Sequence, residues 1–159
     1  FLTGCQRSDN TKKTNIIFIL TDDQGYGDMS IADHPYMKTP NIDRLAREGT
    51  RFTQFYVNAT VCAPSRVALM TGQFPARNNV HHIYMSKKFN RAHGVPDYLD
   101  HDVFTVGDVI KKAGYSTTHI GKWHLESRDV ARAPDNFGVD YWLVTHDASQ
   151  SSLSKVRQV

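Results

Sequence analysis

Apolar and polar positions change period several times along this chain. From Asn15 the run Ile16-Ile17-Phe18-Ile19-Leu20 is unbroken, too short for an ordinary helix and rich in β-branched residues. Such a run predicts a strand buried on both faces, as in a parallel sheet. Asp22 and Asp23 follow directly, then the glycine-bearing loop Gln24-Gly25-Tyr26-Gly27-Asp28. Functional groups in α/β sheets collect where strands end at their carboxyl edge. From Thr39 to Gly49 the punctuation is helical: Thr39 fits an N-cap, Pro40 the first helical position and Gly49 the residue past the end. Ile42, Leu45 and Ala46 share one face of that helix.

Residues Arg51 to Val57 predict a second strand leading into a loop at Cys62. Ser65 to Met70 then predict a short helix with Cys62 near its N-terminus. Thr105 to Gly114 repeat the helix pattern with Thr105 as cap and Gly114 as stop, and Tyr115 to Ile120 predict the next strand. Gly121-Lys122-Trp123-His124-Leu125 hangs off its end. Residues 81–102, with four histidines and both Gly94 and Pro96, read as a long surface excursion, and His81, His82, His93 and His101 as solvated loop residues without a metal spacing. Alternating strand and helix signals argue an α/β fold, a largely parallel sheet flanked by helices. No internal repeat is visible, and the segment from Ser149 to Lys155 is polar with no closing element.

Bulk properties exclude more than they assign. The chain has 159 residues, 40% hydrophobic and 22% charged, which is ordinary for a globular domain. A formal charge of +3 with dispersed Lys and Arg gives no footprint for nucleic acid. No stretch is long and apolar enough to cross a membrane. The two cysteines, Cys5 and Cys62, form no Cys-x-x-Cys, so a thiol redox protein is unsupported.

Cys62 opens the run Cys62-Ala63-Pro64-Ser65-Arg66-Val67-Ala68-Leu69-Met70-Thr71-Gly72. A buried small hydrophobe or a thiolate at a helix N-terminus would each account for the cysteine. Neither accounts for Pro64, Ser65 and Arg66 at their offsets. The run fits Cys-x-Pro-Ser-Arg-x-x-x-x-Thr-Gly and resembles the signature of type I, formylglycine-dependent sulfatases of the alkaline phosphatase superfamily. Six fixed residue types in eleven positions arise by chance on the order of once in ten million windows, so this run carries the argument.

The resemblance implies an alkaline-phosphatase-like α/β fold and a maturation enzyme that reads Pro64 and Arg66 and oxidises Cys62 to formylglycine. Arg66 would then pair with the hydrated aldehyde and with sulfate. Asp22-Asp23 is similar to the family's Thr-Asp-Asp-Gln/His-Gly metal motif. Alone, two adjacent aspartates are more often a cap or a turn. With Cys62 downstream, the resemblance implies that Asp22, Asp23 and position 62 hold calcium, with magnesium as the alternative. Gly121-Lys122-Trp123-His124 is similar to the family's Gly-Lys-Trp-His segment, where Lys122 offers a charge to sulfate oxygens and His124 takes a proton near neutral pH. Thr145-His146-Asp147 lies where some family members place substrate-contacting polar residues, so the resemblance implies a specificity loop with His146 as a substrate contact.

In the implied mechanism a hydroxyl of the hydrated aldehyde attacks sulfur in line and displaces the alcohol, and His124 helps the covalent sulfated intermediate collapse by elimination. The resemblance runs from about Asn15 to about Tyr141 and matches roughly the amino-terminal third of a typical member. The family's later metal ligands, Asp and Asn, and its later Lys and His have no counterpart. Residues 15–159 are therefore expected to be the amino-terminal part of a catalytic domain, incomplete, inactive and poorly stable alone.

Phe1-Leu2-Thr3-Gly4-Cys5 resembles the lipobox that ends a bacterial lipoprotein signal. Residues 1–14 then read as the end of that signal and a polar tether, with Cys5 carrying the lipid. The expected place is the bacterial cell envelope, periplasmic or cell-surface, with the lipid as the sole membrane contact. Expected partners are a sulfated carbohydrate and the maturation enzyme, and no nucleic acid. Asn58-Ala59-Thr60 fits a glycosylation acceptor, which a bacterial lipoprotein makes accidental. Two other readings stand beside the sulfatase: a phosphate-ester or phosphonate hydrolase of the same superfamily, and a lipid-anchored protein that binds sulfated glycans without turnover.

Overall fold

The computed structural model describes residues 13–127, 130 and 134–145. The chain divides into two compact units, Phe1–Leu45 and Ala46–Val159. In the first unit a 3-10 turn at Ser30–Ala32 is tied to the start of helix α1, Pro40–Glu48. Ser30 and Thr39 exchange main-chain-to-hydroxyl bonds of 2.9 Å each way. Asp43 accepts from the Ser30 hydroxyl at 2.6 Å and the Thr39 hydroxyl at 2.9 Å. Thr39 and Pro40 thus start α1 where the sequence places the start, and a carboxylate in the first turn suits the helix dipole.

The expected strand at 15–20 is not formed. Ile17 is 85% exposed and Ile19 79%, and no residue of the run pairs in a sheet. A central strand needs a hydrogen-bonding neighbour on each edge and cover on each face, and an unpaired extended run has neither. The same correction applies to 51–57, where Phe52, Phe55, Tyr56 and Val57 are exposed and outside any strand.

In the second unit, helices α2 (Cys62–Thr71), α3 (Lys87–Ala92) and α4 (Val106–Lys112) precede strands β1 (Thr118–Lys122) and β2 (Tyr141–Thr145). The strands pair in parallel, with Thr118 opposite Tyr141 and Lys122 opposite Thr145. Parallel pairing is what the alternation of elements predicts. The strand expected at 115–120 forms, displaced toward Lys122. Its entry is fastened by Asp140, which accepts from Thr117 N–H at 3.0 Å and pairs with Lys111 Nζ at 2.6 Å. The Lys111 ammonium, then the Thr117 amide, hold the Asp140 carboxyl below its usual range.

Thr105 caps α4 through a capping box with Asp108. Its buried hydroxyl also donates to the Phe137 carbonyl at 2.9 Å. Here α4 meets the turn Pro134–Phe137 backbone to backbone, and a Cβ on Gly107 would fall inside 3.0 Å of the Phe137 oxygen. Only glycine permits that approach.

The core gathers Ala63 and Val67 from α2, Val80, Tyr84, Val95 and Leu99, then Trp123, Leu125, Phe137, Val139 and Val144. Residues 81–102 are therefore not a surface excursion. They carry α3, capped by the Ser86 hydroxyl, and bury Tyr84, Asn90, Val95 and Leu99. Their apolar residues are irregularly spaced, so no helix or strand period exposes them as core. His81 and His93 are exposed, but His82 and His101 are half-buried, against Phe89 and against Tyr98 and Phe137.

Candidate active site

Helix α2 begins at Cys62 itself, with Val61 extended at the N-cap. Pro64 falls in the first turn, where a missing N–H costs nothing. The Ser65 hydroxyl donates to the Ala59 carbonyl at 2.6 Å and fastens the incoming loop. At the other end Thr71 Oγ1 donates to the Val67 carbonyl at 2.7 Å, and Gly72, at φ +65°, closes the helix through its N–H to Ala68. The residue types that mark this run thus each hold a turn of α2 in place, which leaves Cys62 half-buried at its start.

Arg66 lies one turn along α2 and is 9% exposed. One guanidinium nitrogen donates to the Lys122 carbonyl at 2.5 Å. A buried guanidinium requires such partners, and this one joins α2 to the end of β1. Past Lys122 the chain sinks Trp123 into the core and then turns at His124, whose φ is +57°. A left-handed backbone at a non-glycine residue costs roughly 1–3 kcal/mol and persists only where its surroundings enforce it.

That turn brings His124 Nδ1 to 3.2 Å from Cys62 Sγ and His124 Nε2 to 3.2 Å from the Tyr84 carbonyl oxygen. A carbonyl only accepts, so Nε2 carries the proton and Nδ1 presents its lone pair to position 62 while the ring is neutral. Cys62, Arg66, Lys122 and His124, predicted from two separate motifs, are joined here by direct bonds. His119, two turns of the pleat before Trp123, packs edge-on to that indole at 5.0 Å. Burial, aided by the Arg66 charge, keeps its ring below the usual histidine range and therefore neutral near pH 7.

Asp22 and Asp23 lie in the first unit, both exposed, with Asp23 at φ +55°. Just beyond them Gly25 N–H donates to Asp28 Oδ2 at 2.6 Å, tightening the loop. Their hard oxygens suit calcium or magnesium. Among the described residues no group of three or more His, Cys, Asp or Glu could hold a metal ion. Cys5 and His146 lie outside the described residues. The Tyr84 contact escaped the sequence because it is a main-chain carbonyl, to which no side-chain motif points.

The second unit is thus a parallel α/β unit in which a cysteine at a helix start meets a histidine beyond a strand end. The sulfatase family profile matches residues 14–157. The chain is 37% identical to human N-acetylgalactosamine-6-sulfatase over 145 residues, 88% of this chain and 27% of that protein. It is 39% identical to the N-acetylgalactosamine-6-O-sulfatase of Bacteroides thetaiotaomicron over 131 residues, 78% of this chain and 24% of that one. The crystal structure of Ps i-CgsB aligns with TM-score 0.71 at 33% identity, over 84% of this chain and 28% of its own, and that protein has also been solved in complex with k-i-k-neocarrahexaose. This chain belongs to the sulfatase family. It spans about a quarter of the length of those relatives, and its α/β, alkaline-phosphatase-like fold is that of its structural neighbours.

Proposed function

We propose that the protein carrying this chain hydrolyses sulfate esters of carbohydrates, with position 62 as the reacting residue. The observation that carries this reading is the Cys62–His124 contact of 3.2 Å at the head of α2. Conversion of Cys62 to formylglycine would supply a hydrated aldehyde, whose hydroxyl is a nucleophile. Once that hydroxyl carries the sulfate, His124 Nδ1 accepts the proton of the second hydroxyl, so that sulfate leaves and the aldehyde re-forms, the Nε2 proton being held on the Tyr84 carbonyl. Arg66 and the Lys122 ammonium supply positive charge to sulfate oxygens beside position 62, and the Arg66 bond to the Lys122 main chain keeps the two residues together.

Asp22 and Asp23 would hold a divalent cation, calcium with magnesium as the alternative, which when bound offsets the sulfate's charge and makes a nearby hydroxyl more acidic. Turnover is proposed for the full-length protein, because this chain spans about a quarter of the length of its relatives. A carbohydrate substrate is supported by the names of the two relatives and by the oligosaccharide complex of Ps i-CgsB. His146 would contact that substrate. Lipidation at Cys5 would place the enzyme in a bacterial cell envelope, and the maturation enzyme would be a second, earlier partner.

The test is to express the full-length protein with the maturation enzyme and weigh the tryptic peptide from Phe52 to Arg66. A peptide lighter by the exchange of thiol for aldehyde, with turnover of an aryl sulfate well above that of an aryl phosphate, is expected. An intact thiol beside a competent maturation enzyme overturns the catalytic reading in favour of glycan binding. A preference for phosphate transfers the protein to the phosphohydrolases of the superfamily.

A further inference from the structure

Asn90 is fully buried, in a six-residue helix with no catalytic motif near it in sequence. Burying an amide side chain is costly unless each of its polar atoms is bonded. Here Oδ1 accepts the Met85 N–H at 2.9 Å, and Nδ2 donates to Asp97 Oδ1 at 3.0 Å. Asp97 is anchored in turn, because its carbonyl accepts the Ser127 N–H at 2.7 Å. Leu99 N–H bonds to the Leu125 carbonyl at 2.8 Å alongside. The chain just after His124 is thus tied to the segment that carries Asp97.

The Met85 N–H and the Tyr84 carbonyl belong to one peptide group, and that group is planar. Fixing its N–H on Asn90 fixes the direction of its carbonyl, which accepts from His124 Nε2 at 3.2 Å. His124 needs such a fixture, because its left-handed backbone is not one that local preference selects. A continuous set of bonds then runs from Asp97 through Asn90 and the 84–85 peptide to His124, and from His124 Nδ1 to Cys62.

We infer that Asn90 is a positioning residue for His124: it sets the 84–85 peptide so that His124 holds its proton on Nε2 and turns Nδ1 toward position 62. This rests on the proposed role of position 62. It deepens that role by naming what orients the histidine, and Asn90 itself touches neither substrate nor nucleophile.

Two variants of the full-length protein test it. Asn90→Ala removes the acceptor for Met85 N–H. The exchange Asn90→Asp with Asp97→Asn keeps every bond with the donor and acceptor reversed between the two side chains. Asn90→Ala is expected to lower kcat on an aryl sulfate roughly tenfold to hundredfold with little change in KM, as displaced support of a reacting group does. The exchange is expected to restore kcat close to the parent value.

A second readout is the 15N spectrum of histidine-labelled protein on the alkaline side of neutrality, with His124 assigned by its loss in His124→Gln. It should show Nε2 protonated in the parent and in the exchange variant. Protonation on Nδ1 in the parent overturns the inference, as does an exchange variant that is folded yet as slow as Asn90→Ala, or an Asn90→Ala enzyme with parental kcat. Should Asn90→Ala fail to fold, the parent and exchange spectra decide alone. Absence of sulfate-ester turnover in the parent would refute the proposed function, while the tautomer would still decide the positioning role.

Discussion

Tyr84 presents two oxygens with opposite fates, and the substitution Tyr84→Phe separates them. The carbonyl faces His124, whereas the phenol is buried and finds no hydrogen-bond partner among the described residues. Burial pushes the phenol's pKa up, so the group stays neutral and its cost is that of an unpaired hydroxyl. Leaving a buried donor unsatisfied costs about 1–3 kcal/mol. Phe keeps the ring and its contacts within the core and removes only the oxygen, whose small void returns part of that gain. The net expectation is a stabilisation of about 1 kcal/mol. It is read as a higher denaturant midpoint of the full-length protein with an unchanged slope. Sulfate-ester turnover should stay at the parental level, because the main-chain carbonyl remains. A lower midpoint, or a tenfold loss of kcat at the same midpoint, would show that the hydroxyl has a partner or a role, and the reasoning would fall.

Gly107→Ala should destabilise, although alanine is the better helix former by about 1 kcal/mol. The added Cβ would lie inside 3.0 Å of the Phe137 oxygen, against main chain that cannot swing aside, and overpacking of this kind costs about 1–3 kcal/mol or more. An unchanged or raised denaturant midpoint would contradict the close approach of α4 to the Phe137 turn. Asp140→Asn tests the fastening at the entry to β1 by its pH dependence. The Asp140 pKa is lowered on folding, so the unfolded state takes up the proton first and the stabilisation is present above pH 3.8. It is lost as pH falls below that value, and the Asn variant should show a flatter acid limb. An acid limb as steep as the parent's would place the stabilising contact elsewhere.

The chemistry was legible one residue at a time. The run from Cys62 to Gly72 identified the family, and its Ser65, Thr71 and Gly72 proved to hold the helix that begins at Cys62. Thr39 with Pro40, and Thr105 with Gly114, marked the bounds of α1 and α4, because caps and stops act within one turn of chain. Strands were less legible. β1 was found within a few residues, β2 was not anticipated, and the runs at 15–20 and 51–57 form none. A strand is completed by partners distant in sequence, and apolar residues alone do not specify them.

What the sequence determined by itself was therefore local: the run that marks the family, the helix ends and the residue types of the candidate site. Tertiary structure decided which of them meet. It carried Lys122 to Arg66 and His124 to Cys62 across some sixty residues of chain. It also turned the segment 81–102, opaque as a sequence, into core and into the support for His124. The reason is that a buried polar atom must find a partner wherever the chain supplies one, and here the partners were a main-chain carbonyl and a planar peptide, which leave no mark in an amino-acid sequence.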